Sequence, residues 1–276
     1  MDVLVRTFTF ASIMNTKVIK DDAIIGIYAK NLAELNPKSG FSAPLIPNIS
    51  QRYSDKRVVI MGQETNTWYD NAQYPDFRNC NYDEIRRLCL TDRTDVFVKK
   101  CVKKYGGMFW KFNRSLYTEN ILGGDIVEDG KLSHGWLNLF CIEKCRSKRD
   151  KEGRPSQNKD LAEEVMSIQK KLLYEVFEII KPKLIVAVIG LNNDDYFINN
   201  ALNAKGNCNI IPVSATIHKP ESLSEFKILD AANCLYNTTI IRAYHPTYFM
   251  GYMPAKYKQQ YNETLINRIR EAVTNK

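Results

Sequence analysis

Four apolar segments of this chain each end on, or carry, polar side chains able to do chemistry. Val58-Val59-Ile60-Met61 stops at Gly62 and is followed by Gln63, Glu64 and Asn66, while Trp136-Leu137-Asn138-Leu139-Phe140 holds one asparagine in an otherwise apolar run. Leu184 to Ile189 runs into Gly190 and Asn192-Asn193, and Thr239 to Ala243 runs into Tyr244-His245-Pro246. A carboxylate can stabilise positive charge and orient or deprotonate water, an imidazole can donate to developing negative charge, and amides can read a polar edge. Glu64, Asn66, Asn138 and His245 are the candidates for such work. Taken singly some have a plainer role: Glu64 as a helix-capping or salt-bridged acid, Asn138 as a residue paired with backbone in a turn, whereas His245, before proline at a strand end, reads as functional and His134 and His218 as surface or structural. Delivered together to one rim they are a stronger signal than any one of them.

The elements that would position these groups are legible from periodicity. The run at 58–62 is rich in β-branched residues and follows charged Asp55, Lys56 and Arg57, the pattern of a strand buried on both faces. In open α/β sheets ligands bind beyond the carboxyl ends of the strands, where loops converge on a rigid frame. Helices are expected at 21–36, near 82–104, at 107–118, from Asn158 to about residue 179 and from Pro254 onward, and a hairpin turning at Asp129-Gly130. Residues 146–158 are polar, with Gly153 and Pro155, and read as a mobile surface loop. Together these give one α/β domain over 1–276, with 1–54 as an N-terminal helical and loop extension and an elaborated region between the first two strands.

Bulk properties narrow the class. A chain of 276 residues with 44% apolar side chains can bury a large core. No run approaches the ~20 apolar residues that cross a bilayer, and Met1-Asp2-Val3-Leu4-Val5-Arg6 has no signal-peptide core, so a cytoplasmic protein without membrane partners is expected. Seven cysteines without a compact rhythm read as reduced thiols, and no metal or other cofactor is expected. The excess of 39 Lys plus Arg over 31 Asp plus Glu gives +8, which suits a polyanionic partner and also suits a basic but ordinary surface. One basic cluster, Lys144, Arg146, Lys148 and Arg149, follows the Asn138 strand at once.

The rim segments, in order, resemble the uracil-DNA glycosylase superfamily. Gly62-Gln63-Glu64-Thr65-Asn66 resembles its water-activating motif GQDPY, Leu137-Asn138-Leu139 the strand with its base-reading asparagine, and Tyr244-His245-Pro246-Thr247 its HPSP loop. The resemblance covers roughly residues 55–250 and implies a three-layer α/β/α sandwich with a four-stranded, mainly parallel central sheet. It implies a monomeric, monofunctional DNA glycosylase that leaves an abasic site. Glu64 or Asn66 would hold the water, His245 would donate to the departing base, and Gly62, Gln63 and Asn138 would bind it. The nucleotide would flip out of single- or double-stranded DNA. Stacking candidates are Trp68, Tyr69, Phe109, Trp110 and Phe112; wedge candidates are Tyr248, Phe249 and Met250; Thr247 and the 144–149 cluster would hold phosphates.

The chain departs from the motif at two places. Glu64 is one methylene longer than the family's aspartate, and Asn66 replaces the aromatic residue that rejects 5-substituted pyrimidines. The departures imply a pocket open at C5, suited to uracil or to 5-substituted and hypermodified cytosines, with antiphage defence as a role beside repair. Two rivals stand against this reading. One is a nucleic-acid-binding protein that keeps the glycosylase fold without catalysis. The other is a metal-dependent nuclease built on Pro75-Asp76 and Asp129-Gly130-Lys131, discounted because Asp-Gly is a hairpin dipeptide.

Overall fold

The structure, a computed structural model, describes residues 22–35, 40–47, 49, 53–64, 82–88, 91–128, 130–144, 151–217 and 219–274. Helix α1 (22–31) and the single turn α2 (Tyr53–Lys56) precede strand β1 (Val58–Gly62). Helices α3 (Tyr82–Leu88), α4 (Thr91–Lys100) and α5 (Met108–Thr118) follow, then the small pair β2 (Val127–Glu128) and β3 (Lys131–Leu132) and strand β4 (Gly135–Asn138). Next come α6 (Lys159–Gln169), α7 (Leu172–Ile180), β5 (Leu184–Ala187) and the short α8 (Asp194–Tyr196). Strands β6 (Cys208–Pro212), β7 (Ser224–Ile228) and β8 (Thr239–Arg242) and helix α9 (Ala255–Thr274) complete the order.

Among the described residues the main sheet has six strands in the order β4-β1-β5-β8-β7-β6, not the expected four. The pairs β4/β1, β1/β5 and β5/β8 are parallel, whereas β7 and β6 extend the sheet with antiparallel pairing. Pro212 is compatible with β6 because β6 is the edge strand. Backbone bonds Val213 N to Leu223 O and Leu229 N to Asn207 O put the odd positions toward β7, so Pro212 lacks its N–H on the outer side. The hairpin reading holds for β2 and β3, which pair antiparallel with Gly130 at φ 77.

Period-two alternation sorts the central strands onto two cores. Val59, Met61, Ile185 and Ala187 face α1, α6 and α7, with Leu161, Val165, Val176 and Phe177 in the same cluster. Val58, Ile60, Val186 and Ile241 face α5 and α9, meeting Phe112, Leu116, Tyr261, Leu265 and Ile269. Each such aliphatic side chain contributes about 1.5–3 kcal/mol on burial, so the frame beneath the strand ends is rigid. A third cluster joins Trp110 and Trp136 to Val98, Val102 and the β2/β3 pair.

Two helices differ from expectation. The single helix expected from Asn158 is broken at Lys170, whose φ of 44 ends α6, and α7 then starts at Leu172. The helix expected near 82–104 is two helices, α3 and α4. No helix among the described residues is long and apolar enough to cross a membrane.

Candidate functional site

Strand order gives the site its place. The chain passes from β1 to β4 on one side and then crosses over to β5 on the other, so β1 is a topological switch point, where a crevice opens beyond the strand ends. Parallel registers bring the ends level: Gly62 pairs with Asn138, Met61 with Ala187, and Ala187 with Arg242. The ladder continues past the strands through Leu139 N to Gly62 O (2.9 Å), Phe140 N to Gln63 O (2.8 Å) and Gly190 N to Ala243 O (3.0 Å). At about 4.8 Å per strand, the axes of β1 and β8 lie about 10 Å apart, which leaves room for a planar ring between their loops.

At the centre sits Asn138. It is 4% exposed, and among the described residues its Nδ2 has no hydrogen-bond partner. An unpaired buried donor costs about 1–3 kcal/mol, so this amide is poorly explained by folding alone. Its Oδ1 lies 2.7 Å from where a Cβ on Gly62 would stand, and the Phe109 ring edge lies 3.2 Å from the same point. Gly62, Asn138 and Phe109 therefore form one seat, closed to any side chain at position 62. Phe109 is in the first turn of α5, whose carbonyl there takes the Asn113 Nδ2 hydrogen bond at 2.7 Å. Beyond Asn138, buried Gln169 fixes the exit of the chain. Its Nε2 donates to Leu139 O (2.7 Å), and its Oε1 accepts from Cys141 N (3.2 Å).

Gln63 bridges β1 to the loop after β5, donating to Ile189 O at 2.6 Å, a carbonyl that also accepts from Asn193 Nδ2 at 2.8 Å. Its side-chain N–H is thus committed to protein. Glu64 is half-buried, and its Oε2 accepts from Ser156 N at 3.1 Å. Burial raises the affinity of Glu64 for its proton, while the hydrogen bonds from Ser156 and the Arg154 charge oppose that rise.

His245 follows β8 on a loop pinned by α9: the Tyr261 hydroxyl accepts from Tyr244 N and donates to Ser222 O, both at 3.0 Å. The Nδ1 of His245 accepts from Thr247 N at 3.3 Å, which assigns the proton of the neutral ring to Nε2. Burial lowers its pKa to about 4, so the imidazole is neutral at physiological pH and offers an N–H donor. A folded pKa below the ordinary 6.5 means that the unfolded chain binds more protons between pH 6.5 and 4, so stability from this group falls as pH drops through that window. Wild type is expected to lose about 2 kcal/mol more than His245→Gln between pH 8 and pH 5. Urea denaturation at the two pH values checks this, and equal losses would exclude a depressed His245.

Other expected residues are placed elsewhere. Trp110 is 4% exposed and packs on Phe97, Phe109 and Trp136, so it belongs to the third core cluster and supports Phe109 from behind. Phe112 is likewise core, and Phe249, 1% exposed, is locked between Phe112 and Tyr261, so it has no free ring to insert. Lys144 is ion-paired to Glu164 at 2.8 Å and lies over the Phe41 ring. Residues 151–158 form a packed turn, with Gly153 and Pro155 buried, in place of the mobile loop expected there. His134, fully buried, bonds the Tyr117 hydroxyl at 2.7 Å and is structural. Asn66, Trp68, Tyr69, Arg146, Lys148, Arg149, His218 and the pair Asp76 and Asp129 lie outside the described residues.

Several residues enter that periodicity alone did not single out. Tyr252, at the end of the turn Thr247–Tyr252, is 80% exposed, beside the half-buried pair Tyr244 and Tyr248. Arg242, one residue past Ile241, is 1% exposed and paired to Asp194. No family model matches the chain, and a search among curated proteins finds none that matches.

Proposed function

We propose that this protein is a monofunctional DNA glycosylase that hydrolyses the N-glycosidic bond of a pyrimidine extruded from DNA and leaves an abasic site. The reading includes the three-layer α/β/α fold of the uracil-DNA glycosylase superfamily. One observation carries it: a buried asparagine with an unpaired amide donor, framed by a side-chain-free position and an aromatic edge, at the switch point of a parallel sheet. Glu64 and His245 stand on the loops of the same rim.

In this mechanism the base enters the seat with its polar edge on the Asn138 amide and its ring against Phe109. As the bond between C1′ and the base nitrogen breaks, its electron pair leaves with the base and positive charge develops on the sugar. The His245 Nε2–H donates to the base oxygen that gains the charge. The Glu64 carboxylate stabilises the sugar cation and takes a proton from the attacking water, whose oxygen forms the new bond to C1′. The neutral state of His245 suits this role, because an N–H donor preorganised toward the anion needs no proton transfer. Nucleophilic attack by water needs no amine, and no lysine stands at the motif positions. With asparagine at position 66, uracil and 5-substituted or hypermodified cytosines are the substrate class, in repair or in defence against phage DNA.

The 247–252 turn gives this reading a wedge. Tyr252 is the exposed aromatic there, whereas Phe249 is packed. Tyr252→Ala is expected to slow excision from duplex DNA about tenfold, within the ~1–3 kcal/mol of one base-aromatic contact, and to spare single-stranded substrate. Equal effects on both strands would remove it from the flipping step.

The deciding experiment incubates the protein with oligonucleotides carrying uracil, a thymine mismatch, 5-hydroxymethylcytosine or its glucosylated form, and reads alkali-labile sites. Alkali-dependent cleavage at one of these bases is the expected result. Binding without abasic sites would favour an inactive nucleic-acid-binding protein, and magnesium-dependent breaks without alkali would favour a nuclease.

A further inference from the structure

The turn at 151–158 reaches back across the rim to the end of β1. Ser156 N–H donates to Glu64 Oε2 at 3.1 Å, a contact between residues 92 apart in sequence. Arg154 lies two residues earlier in the same turn, and its positive charge acts on the same carboxylate. The turn is held at both ends: Lys144 N donates to Gly153 O at 3.0 Å, and Asn158 bonds Glu152 O at 2.9 Å while capping α6 through Leu161 N at 3.2 Å. Pro155, buried between Arg154 and Ser156, fixes the backbone that aims the donor.

We propose that the Arg154–Ser156 turn is a positioning element for Glu64, holding its carboxylate on Ser156, within the field of the Arg154 charge, so that it meets water in one orientation. The turn has two effects. It restrains a side chain one methylene longer than aspartate, so that the extra rotor does not blur the position of the water. It also offsets burial, which on its own would favour the protonated, inactive carboxyl. Among the described residues Arg154 is the charged group acting on Glu64, and Ser156 supplies the hydrogen bonds, so each contribution can be removed separately. The catalytic meaning rests on the glycosylase reading; the contact does not.

The test uses the full chain labelled with 13C at glutamate carboxyls, the Glu64 resonance being assigned by its loss in Glu64→Gln. Its titration is followed in wild type, Arg154→Gln, Arg154→Lys and Ser156→Pro, alongside the pH profile of single-turnover excision. The Glu64 midpoint is expected to rise in Arg154→Gln and in Ser156→Pro, and to return in Arg154→Lys, with the acidic limb of excision moving in step. An unmoved midpoint in both Arg154→Gln and Ser156→Pro would overturn the proposal, even if excision were lost. Should one of these two fail to fold, the other decides. A shifted midpoint in a protein that excises nothing supports the positioning role and counts against the glycosylase reading alone.

Discussion

Gly62→Ala is expected to abolish excision, by a factor of about 10²–10³, in a protein that still folds. The added Cβ would stand 2.7 Å from Asn138 Oδ1, closer than that contact allows, and 3.2 Å from the Phe109 ring, a tight approach. Gly62 pairs with Asn138 of β4, and its carbonyl accepts from Leu139 N at 2.9 Å, so its backbone cannot retreat without breaking that ladder. The atom that yields is the Asn138 amide. It is buried, so a new rotamer aims its donor away from the seat. Because that amide already lacks a protein partner, its displacement costs the fold little, about 1 kcal/mol. The same reasoning makes Gly62→Ala and Asn138→Ala non-additive: the double variant is expected to be no slower than the worse single one. Full activity in Gly62→Ala would show that the seat is not where the base binds, whatever the stability of the variant.

How far the sequence reached can be followed residue by residue. The four parallel strands were legible because short buried apolar runs lie at their centres, interrupted in β4 by Asn138 and bounded in β8 by Thr239 and Arg242. Strand β7 carried a signal that was passed over: Ser224, Phe226 and Ile228 are buried while Lys227 between them is exposed, a period of two. Strand β6 was hidden by Pro212 and by exposure of nearly its whole length, since an edge strand needs neither apolar alternation nor every N–H. Gln169 was also readable, a polar residue on the apolar stripe of Leu161, Val165 and Leu172, where a long side chain must meet a buried partner. The Ser156 contact was not readable, because a backbone N–H has no residue type and its reach to Glu64 depends on how a turn packs. Trp110 and Phe249 show the opposite error. Aromatic residues near a motif are candidates by composition, but their burial is set by helices that the motif does not include.

Arg242→Ala is the substitution expected to damage the fold most, by about 3–5 kcal/mol. The guanidinium is 1% exposed: it meets Asp194 Oδ2 through Nη2 at 2.9 Å, Glu221 O through Nη1 at 2.7 Å, and the Phe226 ring at 5.5 Å. It thereby ties the end of β8 to the loop after β5 and to the segment before β7. Removing it strands the Asp194 carboxylate, whose pKa burial has already raised to about 6 against the pull of Arg242. A folded pKa above the ordinary 3.8 means that the native state holds the extra proton between those values, so stability from Asp194 falls as pH rises through that window. Without Arg242 the folded pKa climbs further and the fall extends to higher pH. The deficit of Arg242→Ala relative to wild type is therefore expected to be largest near pH 7.5 and to shrink by pH 5, where Asp194 is mostly neutral in both proteins. Arg242→Met with Asp194→Leu is expected to recover most of the loss, since a buried ion pair replaced as a unit leaves no orphaned charge. Urea denaturation of the three proteins at both pH values reads all of this. A deficit that does not change with pH would mean that Arg242 acts through packing on Phe226 and not through the ion pair.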